Sequence, residues 1–371
     1  MNTTADTLRV SHVEIYTADA RAAAADFVNS YGFQIFATAE RGGPQGASRS
    51  VALRQGDIVL VMTEAIDEAH PAAAFVARHG DGIGDIALST PDTRAAFHAA
   101  VELSAVPLAG PVERDGYVTA VLAAGFDDVR HTLVQRPADR AGDLGPLPGF
   151  VQVADLGPAP AGMPALTVLD HVAVTVRPGE LGKSTAYYEE VFGYHGVYEE
   201  LMVQGTEAMD SKAVRSPAGD LTFTVLAPDP AYDAGHIGDF LERHGSGGVH
   251  HLAFATEDIV TSVADLRERG IEFLKTPATY YDRLRTRLDL DRHSIDELQA
   301  DGILADEDHA GQLYQIFTRT KHPKRTLFFE VIERIGADTF GGGNVKALYE
   351  AVQAERDETQ ESAQESAESG R

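Results

Sequence analysis

Apolar and polar residues alternate along several short stretches of the chain, and amphipathic segments follow some of them. The alternation over residues 168–176 predicts a strand, and the apolar positions of residues 182–191 recur at helical spacing. Alternating runs at residues 221–226 and 249–255 predict further strands, with a helix over residues 258–269. The pattern therefore predicts repeated units of one strand, one helix and three strands.

The first half of the chain repeats this pattern about 160 residues earlier. Val10-Ser11-His12-Val13 corresponds to Leu169-Asp170-His171-Val172, and Arg78-His79-Gly80 corresponds to Arg243-His244-Gly245. Four βαβββ modules, two in each half, account for the length of 371 residues. The prediction is an α+β fold in which paired modules curl into two barrel-like domains.

Composition divides the chain into four regions. Residues 8–136 form a first domain, and residues 137–165 form a linker rich in proline and glycine. Residues 166–356 form a second domain that ends in an amphipathic helix. Residues 357–371 are acidic and polar with little to bury, so we expect a disordered tail.

Only the second half carries a complete set of potential metal ligands. His171 and His251 open equivalent modules, and Glu330 lies on a closing strand, whereas the first half has Asp85 in place of His251 and Gln135 in place of Glu330. Strand alternation can point all three side chains of the second half inward. Two imidazoles and one carboxylate suit Fe(II), although Mn(II) and Zn(II) accept the same ligands.

Two other histidines are close to these positions without being expected to bind metal. His12 occupies the repeat position of His171 but has no evident partners, so we interpret it as structural. His250 precedes His251, and strict alternation would place it on the opposite face of the strand. We therefore expect His250 to pack behind the site.

Charge and composition exclude several classes of function. The net charge of −26 disfavours a nucleic-acid partner or an anionic membrane surface. The absence of cysteine excludes disulfides and thiolate metal sites. No apolar run is long enough to span a membrane, and the N-terminal residues do not resemble a signal peptide. We expect a cytoplasmic enzyme, for which a homo-oligomer is one arrangement that the sequence allows.

Several motifs taken together identify a family resemblance that covers residues 8–356. The chain resembles the 4-hydroxyphenylpyruvate dioxygenase family in Leu169-Asp170-His171-Val172, Val249-His250-His251-Leu252-Ala253-Phe254, Phe273-Leu274-Lys275-Thr276-Pro277, Gln312-Leu313-Tyr314-Gln315-Ile316-Phe317-Thr318, Leu327-Phe328-Phe329-Glu330-Val331-Ile332 and Phe340-Gly341. The resemblance implies the vicinal-oxygen-chelate fold, a structural first half, and Fe(II) held by His171, His251 and Glu330. It also implies 4-hydroxyphenylpyruvate and O2 as substrates.

The family contains enzymes that make homogentisate and others that make 4-hydroxymandelate. The former typically carry Pro-x-Asn where this chain has Thr224-Val225-Leu226, and a Phe where it has Val345. Both differences make the chain similar to the members that make 4-hydroxymandelate. His250 is a further difference, since the residue before the second histidine ligand is usually Gln in the family.

The resemblance also implies a substrate pocket. Ser211, Thr224, Gln315 and Tyr349 match catalytic positions in the pocket of the hydroxymandelate-forming enzymes, and Leu226, Phe329 and Val345 are predicted to form its wall. Three alternatives remain open. They are a homogentisate-forming dioxygenase, a non-enzymatic binding protein of the same fold, and a ring-cleaving dioxygenase that acts on catechols.

Overall fold

The computed structural model describes residues 8–42, 46–140, 147–153, 163, 165–340, 343–344 and 346–347. The predicted acidic tail and most of the predicted C-terminal helix lie outside these residues. The described chain forms two mixed sheets. The strands of the first sheet are β1 (Arg9–Tyr16), β2 (Gln34–Arg41), β3 (Ser48–Gln55), β4 (Ile58–Ala65), β5 (Gly82–Ser89), β6 (Pro107–Arg114), β7 (Tyr117–Ala123), β8 (Arg130–Gln135) and β9 (Val151–Gln152).

The second sheet is built in the same way. Its strands are β10 (Leu166–Thr175), β11 (His195–Gln204), β12 (Glu207–Arg215), β13 (Thr222–Pro228), β14 (Gly248–Thr256), β15 (Leu304–Glu307), β16 (Gln312–Phe317) and β17 (Phe328–Ile335). The strand orders are β6-β7-β8-β5-β1-β4-β3-β2-β9 and β11-β12-β13-β10-β14-β17-β16-β15. Apart from β9, which part of the predicted linker contributes, the two orders follow one module plan.

Helices connect the strands within and between the modules. They are α1 (Ala20–Asp26), α2 (Pro71–His79), α3 (Thr93–Glu102), α4 (Leu181–Phe192), α5 (Gly235–His244), α6 (Ile259–Glu268), α7 (Ala278–Arg287) and α8 (Ile295–Asp301). Asp92 and Asp258 cap the equivalent helices α3 and α6 by accepting a backbone N–H with their carboxylates. The four βαβββ modules are therefore confirmed, with α2, α5, α7 and α8 as additions.

Each sheet is centred on an antiparallel pair of strands that contains a β-bulge at the same place. In the pair β1–β5, Glu14 faces Asp85 and the next residue faces Ile83, so Gly84 is the extra residue. In the pair β10–β14, Ala173 faces His251 and the next residue faces Val249, so His250 is the extra residue. The two halves thus share their strand register as well as their topology.

This register corrects one sequence-based equivalence. Glu330 on β17 lies opposite Ala253 of β14, whereas in the first half Asp85 of β5 lies opposite Arg130 of β8. Moving two residues along both strands places Thr132, and not Gln135, at the position of Glu330. The prediction of Gln135 was wrong because matching short sequence strings placed these strands out of register.

The two halves share one apolar core. Phe27 and Tyr31 of the first half pack edge-to-face on Phe329 at ring-centroid distances of 5.3 and 5.4 Å, and Phe33 packs on Phe254 at 6.1 Å. Their burial fixes the two sheets against each other. None of the helices in the described chain has the length and apolar character that crossing a membrane requires.

Candidate metal centre and adjoining cavity

Three neighbouring strands of the second sheet bring the predicted ligands together. His171 lies on β10, His251 on β14 and Glu330 on β17, with exposed fractions of 2%, 5% and 2%. The Nε2 atoms of both imidazoles lie 3.3 Å from the same carboxylate oxygen, Glu330 Oε2. These three side chains offer ligand atoms within 4.8 Å of one another, and they are the three ligands predicted from the sequence.

The electrostatics of this cluster suit a cation. Burial alone would lower the pKa of His171, but the carboxylates of Glu330 and Asp170 outweigh it and raise that pKa to about 9. Burial would also raise the pKa of Glu330, but the two imidazoles lower it. Glu330 Oε1 is buried and has no hydrogen-bond partner among the described residues. Two imidazoles and one carboxylate, one of whose oxygens has no partner among the described residues, fit a divalent transition metal ion.

Asp170 and Arg334 hold His171 from behind. His171 Nδ1 lies 2.8 Å from Asp170 Oδ1. Arg334 donates to both oxygens of that carboxylate, from Nε at 2.7 Å and from Nη2 at 2.9 Å. This bidentate pairing lowers the pKa of the Asp170 carboxyl well below its ordinary value despite burial.

His250 also faces the site, which corrects the expectation that it points away. Because the bulge inserts His250 as an extra residue, it lines the same cavity as His251 instead of the opposite face. The Nδ1 atoms of the two rings lie 3.2 Å apart. Burial, followed by the proximity of His251 and His236, lowers the pKa of His250 well below its ordinary value, so the ring is neutral.

A cavity adjoins the three ligands, and the empty space in it and at its solvent-open mouth amounts to about 570 Å³. Its lining combines apolar and polar side chains, which is typical of a site for a small organic molecule. Thr224 Oγ1 and Gln315 Oε1 are buried there without a hydrogen-bond partner among the described residues. Buried polar atoms without partners are costly, so these two are available to a bound ligand.

The structure places most of the predicted pocket residues around this cavity. Ser211 and Thr224, together with Leu226 and Gln315, line it. Phe329 does not, and its prediction as a wall residue was wrong. It immediately precedes Glu330 on β17 and so points to the opposite face of the strand, where it stacks on Phe254 at 5.7 Å.

Two predicted pocket residues cannot be placed. Val345 and Tyr349 lie outside the described residues, so their roles remain predictions. Five further lining residues were not predicted from the sequence, namely Tyr198, Met209, His236, Phe317 and Phe340. Strand alternation could have found two of them, since Met209 is two residues before Ser211 and Phe317 is two residues after Gln315.

A second group of potential ligands lies elsewhere in the second half. Asp258, His293 and Glu333 also offer atoms within 4.8 Å of one another. The protein's own donors use these atoms, because Glu333 accepts from His293 Nε2 at 2.9 Å and from the backbone N–H of Ile259 at 2.8 Å. Asp258 caps α6, and Arg292 lies 3.1 Å from Glu333. This group stabilises the start of α6.

The first half holds different chemistry at the corresponding positions. Burial, followed by the charges of Arg136 and Arg41, lowers the pKa of His12 to about 3. Burial, followed by the nearby Glu14, raises the pKa of Asp85 to about 7. Thr132 donates from both its backbone N–H and its hydroxyl to Asp85. His12 is therefore neutral, and Asp85 is bonded to protein donors.

Comparison with known proteins agrees with this geometry. A family model described as Glyoxalase/Bleomycin resistance protein/Dioxygenase superfamily matches residues 168–303. A protein of Aspergillus fumigatus named probable 4-hydroxyphenylpyruvate dioxygenase 2 is 31% identical, covering 93% of this chain and 93% of that protein. The 4-hydroxyphenylpyruvate dioxygenase of Yarrowia lipolytica is 30% identical, covering 93% of this chain and 91% of that protein.

A solved structure is similar over almost the whole chain. It is a triple mutant of 4-hydroxymandelate synthase from Streptomyces coelicolor, with a TM-score of 0.83 and 39% sequence identity. The match covers 94% of this chain and 99% of that chain. Sequence relatives and the structural neighbour thus carry the names of two different activities.

Proposed function

We propose that this chain, which belongs to the 4-hydroxyphenylpyruvate dioxygenase family, is a 4-hydroxymandelate synthase. In this proposal it uses Fe(II) and O2 to convert 4-hydroxyphenylpyruvate into 4-hydroxymandelate and CO2. One oxygen atom of O2 would enter the new carboxylate, formed at the former keto carbon as the original carboxyl group leaves as CO2. The other would enter the benzylic position, so the atoms balance without a separate reductant.

The metal would be held by His171, His251 and Glu330, which occupy three rigid strands and leave the cavity side open. Ferrous iron, when bound there, supplies the redox chemistry that couples O2 to loss of the keto acid's carboxyl group. The neutral imidazoles and one carboxylate leave a net positive charge at the centre. That charge attracts the carboxylate and keto oxygens of an α-keto acid.

The cavity would hold the aromatic part of the substrate. Met209, Phe317 and Phe340 offer apolar contacts to a ring, and Thr224 Oγ1 and Gln315 Oε1 offer hydrogen bonds to its polar substituents. The role of these side chains is orientation, because the two family activities diverge at the choice of which carbon is oxidised. A displacement of about 1 Å at the reacting atoms can change a rate about a hundredfold.

The apolar side chain of Leu226 in the cavity wall is the observation that supports 4-hydroxymandelate as the product. It lines the cavity and packs with Met202, Met209 and Ile237, with 6% of its surface exposed. The homogentisate-forming enzymes typically carry Asn at this position. An apolar wall here gives the ring no polar anchor, which favours oxidation at the benzylic carbon over oxidation of the ring.

Product analysis tests this proposal directly. The Fe(II)-loaded protein is incubated with 4-hydroxyphenylpyruvate in air, and the aromatic acids are separated by chromatography because the two products are isomers. The expected product is 4-hydroxymandelate. Homogentisate as the main product would overturn the assignment.

Variants at one position sharpen the test. Leu226→Asn restores the polar group and is expected to raise the ratio of homogentisate to 4-hydroxymandelate about tenfold, equivalent to about 1.4 kcal/mol between the two barriers. Leu226→Met keeps an apolar wall and is the control. An unchanged ratio in Leu226→Asn would remove this residue as the determinant.

A homogentisate-forming dioxygenase is the second candidate, because the curated relatives carry that family name. The same chromatogram separates it from the synthase. Substrate-dependent O2 consumption separates both enzymes from a non-enzymatic binding protein.

A further inference from the structure

The contacts behind His171 form a continuous network from the metal site to the wall of the cavity. The Asp170 carboxylate lies between the His171 ring and the Arg334 guanidinium, with its side chain 13% exposed and that of Arg334 20% exposed. Arg334 Nη1 also donates to the backbone oxygens of Thr339 at 2.6 Å and Ala337 at 3.4 Å. One arginine therefore contacts both the partner of a metal ligand and the segment 337–340.

That segment contributes to the site. The Phe340 ring lines the cavity and packs edge-on against the His171 ring at 4.7 Å. The Arg334 guanidinium lies 5.3 Å from the centre of the Phe340 ring. Asp308 anchors the segment from the other side by accepting the backbone N–H groups of Asp338 and Thr339. Arg334 thus fixes the position of Phe340 relative to His171.

The chemistry of the ring determines what Asp170 does. His171 Nε2 faces Glu330, so this nitrogen must keep its lone pair to bind a metal ion. The proton of the neutral ring then resides on Nδ1 and is donated to Asp170, whose carboxylate can only accept. Asp170 therefore selects the tautomer that binds metal and restricts rotation of the ring.

The first half contains the same chain of histidine, hydrogen-bond partner and arginine, with one change. Arg136 Nη2 donates to Ser11 Oγ at 3.0 Å, and Ser11 Oγ lies 3.1 Å from His12 Nδ1. Ser11 and Arg136 stand at the positions of Asp170 and Arg334 in the repeat. A hydroxyl both donates and accepts, so it selects no tautomer, and it has no charge to offset the guanidinium. The first half therefore shows the same arrangement of histidine and arginine with a hydroxyl in place of the carboxylate.

We propose that Asp170 and Arg334 are positioning residues that hold His171 in its metal-binding tautomer and couple that ligand to the segment carrying Phe340. The proposal rests on the metal site of the proposed function but not on its product. Asp170 also separates the positive charge of Arg334 from the metal position, and this charge would otherwise oppose cation binding.

The test is metal affinity in the full chain without substrate. Co(II), a spectroscopic substitute for Fe(II), is titrated into metal-free protein and followed by calorimetry and by its visible absorption. Asp170→Ser reproduces the arrangement of the first half, and we expect it to weaken Co(II) binding about 10–100-fold. The matched control, Ser11→Ala, is expected to bind Co(II) as the wild type does.

Asp170→Asn separates the hydrogen bond from the charge. Its amide oxygen can still accept from His171, but Arg334 is no longer neutralised, so a smaller loss of about tenfold is expected. Both Asp170 variants are compared at matched near-ultraviolet circular dichroism, which establishes native packing. Tight Co(II) binding by natively packed Asp170→Ser and Asp170→Asn would overturn the proposal.

The outcomes also distinguish this inference from the proposed function. If the wild type binds Co(II) but makes homogentisate, the product assignment fails and the affinity comparison still stands. If the wild type makes 4-hydroxymandelate while the Asp170 variants bind Co(II) normally, only the positioning role fails.

Discussion

The two halves of the molecule have the same strand register and place different side chains on it. In the second half, His171, His251 and Glu330 converge, with a carboxylate oxygen that lacks a partner among the described residues. In the first half the equivalent residues are His12, Asp85 and Thr132, and Thr132 already donates to Asp85. The same strand register therefore supports a site in one half and a polar cluster bonded to itself in the other.

The bulge shows the same difference. Both central strand pairs have an extra residue at the equivalent position, which is Gly84 in the first half and His250 in the second. A Cβ atom at Gly84 would lie 2.2 Å from the Tyr16 ring, so this ring fills the space. In the second half Thr175 stands at the position of Tyr16, and the side chain of His250 faces the cavity. Both halves share the bulge in the backbone, but only in the second half does the extra residue, His250, place a side chain in the site.

The strongest test of this comparison makes one substitution at equivalent positions. His171→Gln removes a ligand, and we expect it to reduce Co(II) affinity and turnover by more than about a hundredfold. This loss exceeds the roughly 10–100-fold loss of metal affinity that is typical when a residue hydrogen-bonded to a ligand is replaced. His12→Gln is expected to leave both unchanged. Calorimetry and O2 consumption measure the two effects. Equal losses in both variants would mean that the first half also takes part in metal binding.

The metal triad was predictable from sequence because the repeat aligned His171 and His251 and alternation aimed them inward. Alternation also predicts correctly that Thr224 and Leu226, two residues apart on β13, share the cavity face. It failed at His250 because a bulge shifts the register by one residue, and nothing in the local sequence marks that shift. Long-range pairing between β10 and β14 determines it.

One error could have been avoided from the sequence alone, whereas two other features depended on tertiary contacts. The alternation of β17 itself separates Phe329 from Glu330, so its assignment to the pocket contradicted a pattern already present in the sequence. The Arg334–Asp170 pair joins residues 164 positions apart, and no periodicity indicates such a contact. The equivalence of Thr132 and Glu330 likewise required the observed pairing of strands.

The space around Gly84 provides the next test. Gly84→Ala would force the added methyl group against the Tyr16 ring, and overpacking of this kind destabilises a protein by about 1–3 kcal/mol. Gly110→Ala is the matched control, because a Cβ there meets nothing within 4 Å. Urea unfolding measures both, and Co(II) affinity should be unchanged. Equal stability of the two variants would show that Tyr16 can move away.

The buried acid of the first half predicts a smaller effect that depends on pH. The pKa of Asp85 in the folded protein is raised to about 7 by burial, followed by the charge of Glu14. The folded state therefore binds this proton more tightly than the unfolded chain, whose Asp pKa is about 3.9. The stabilisation is complete at low pH and is lost as pH rises toward 7, with a slope of at most about 1.4 kcal/mol per pH unit.

Asp85→Asn removes this titration while its amide can still pair with Thr132. The difference in unfolding free energy between Asp85→Asn and the wild type should therefore increase in favour of the variant from pH 5 to pH 7. Urea unfolding across this range measures it, with Asp57→Asn, at a side chain 68% exposed, as the control for lost charge. A difference that does not change with pH would mean that Asp85 is already ionised in the folded protein. The first half would then hold a buried anion where the second holds a metal ligand, and the contrast between a neutral cluster and a metal site would fail.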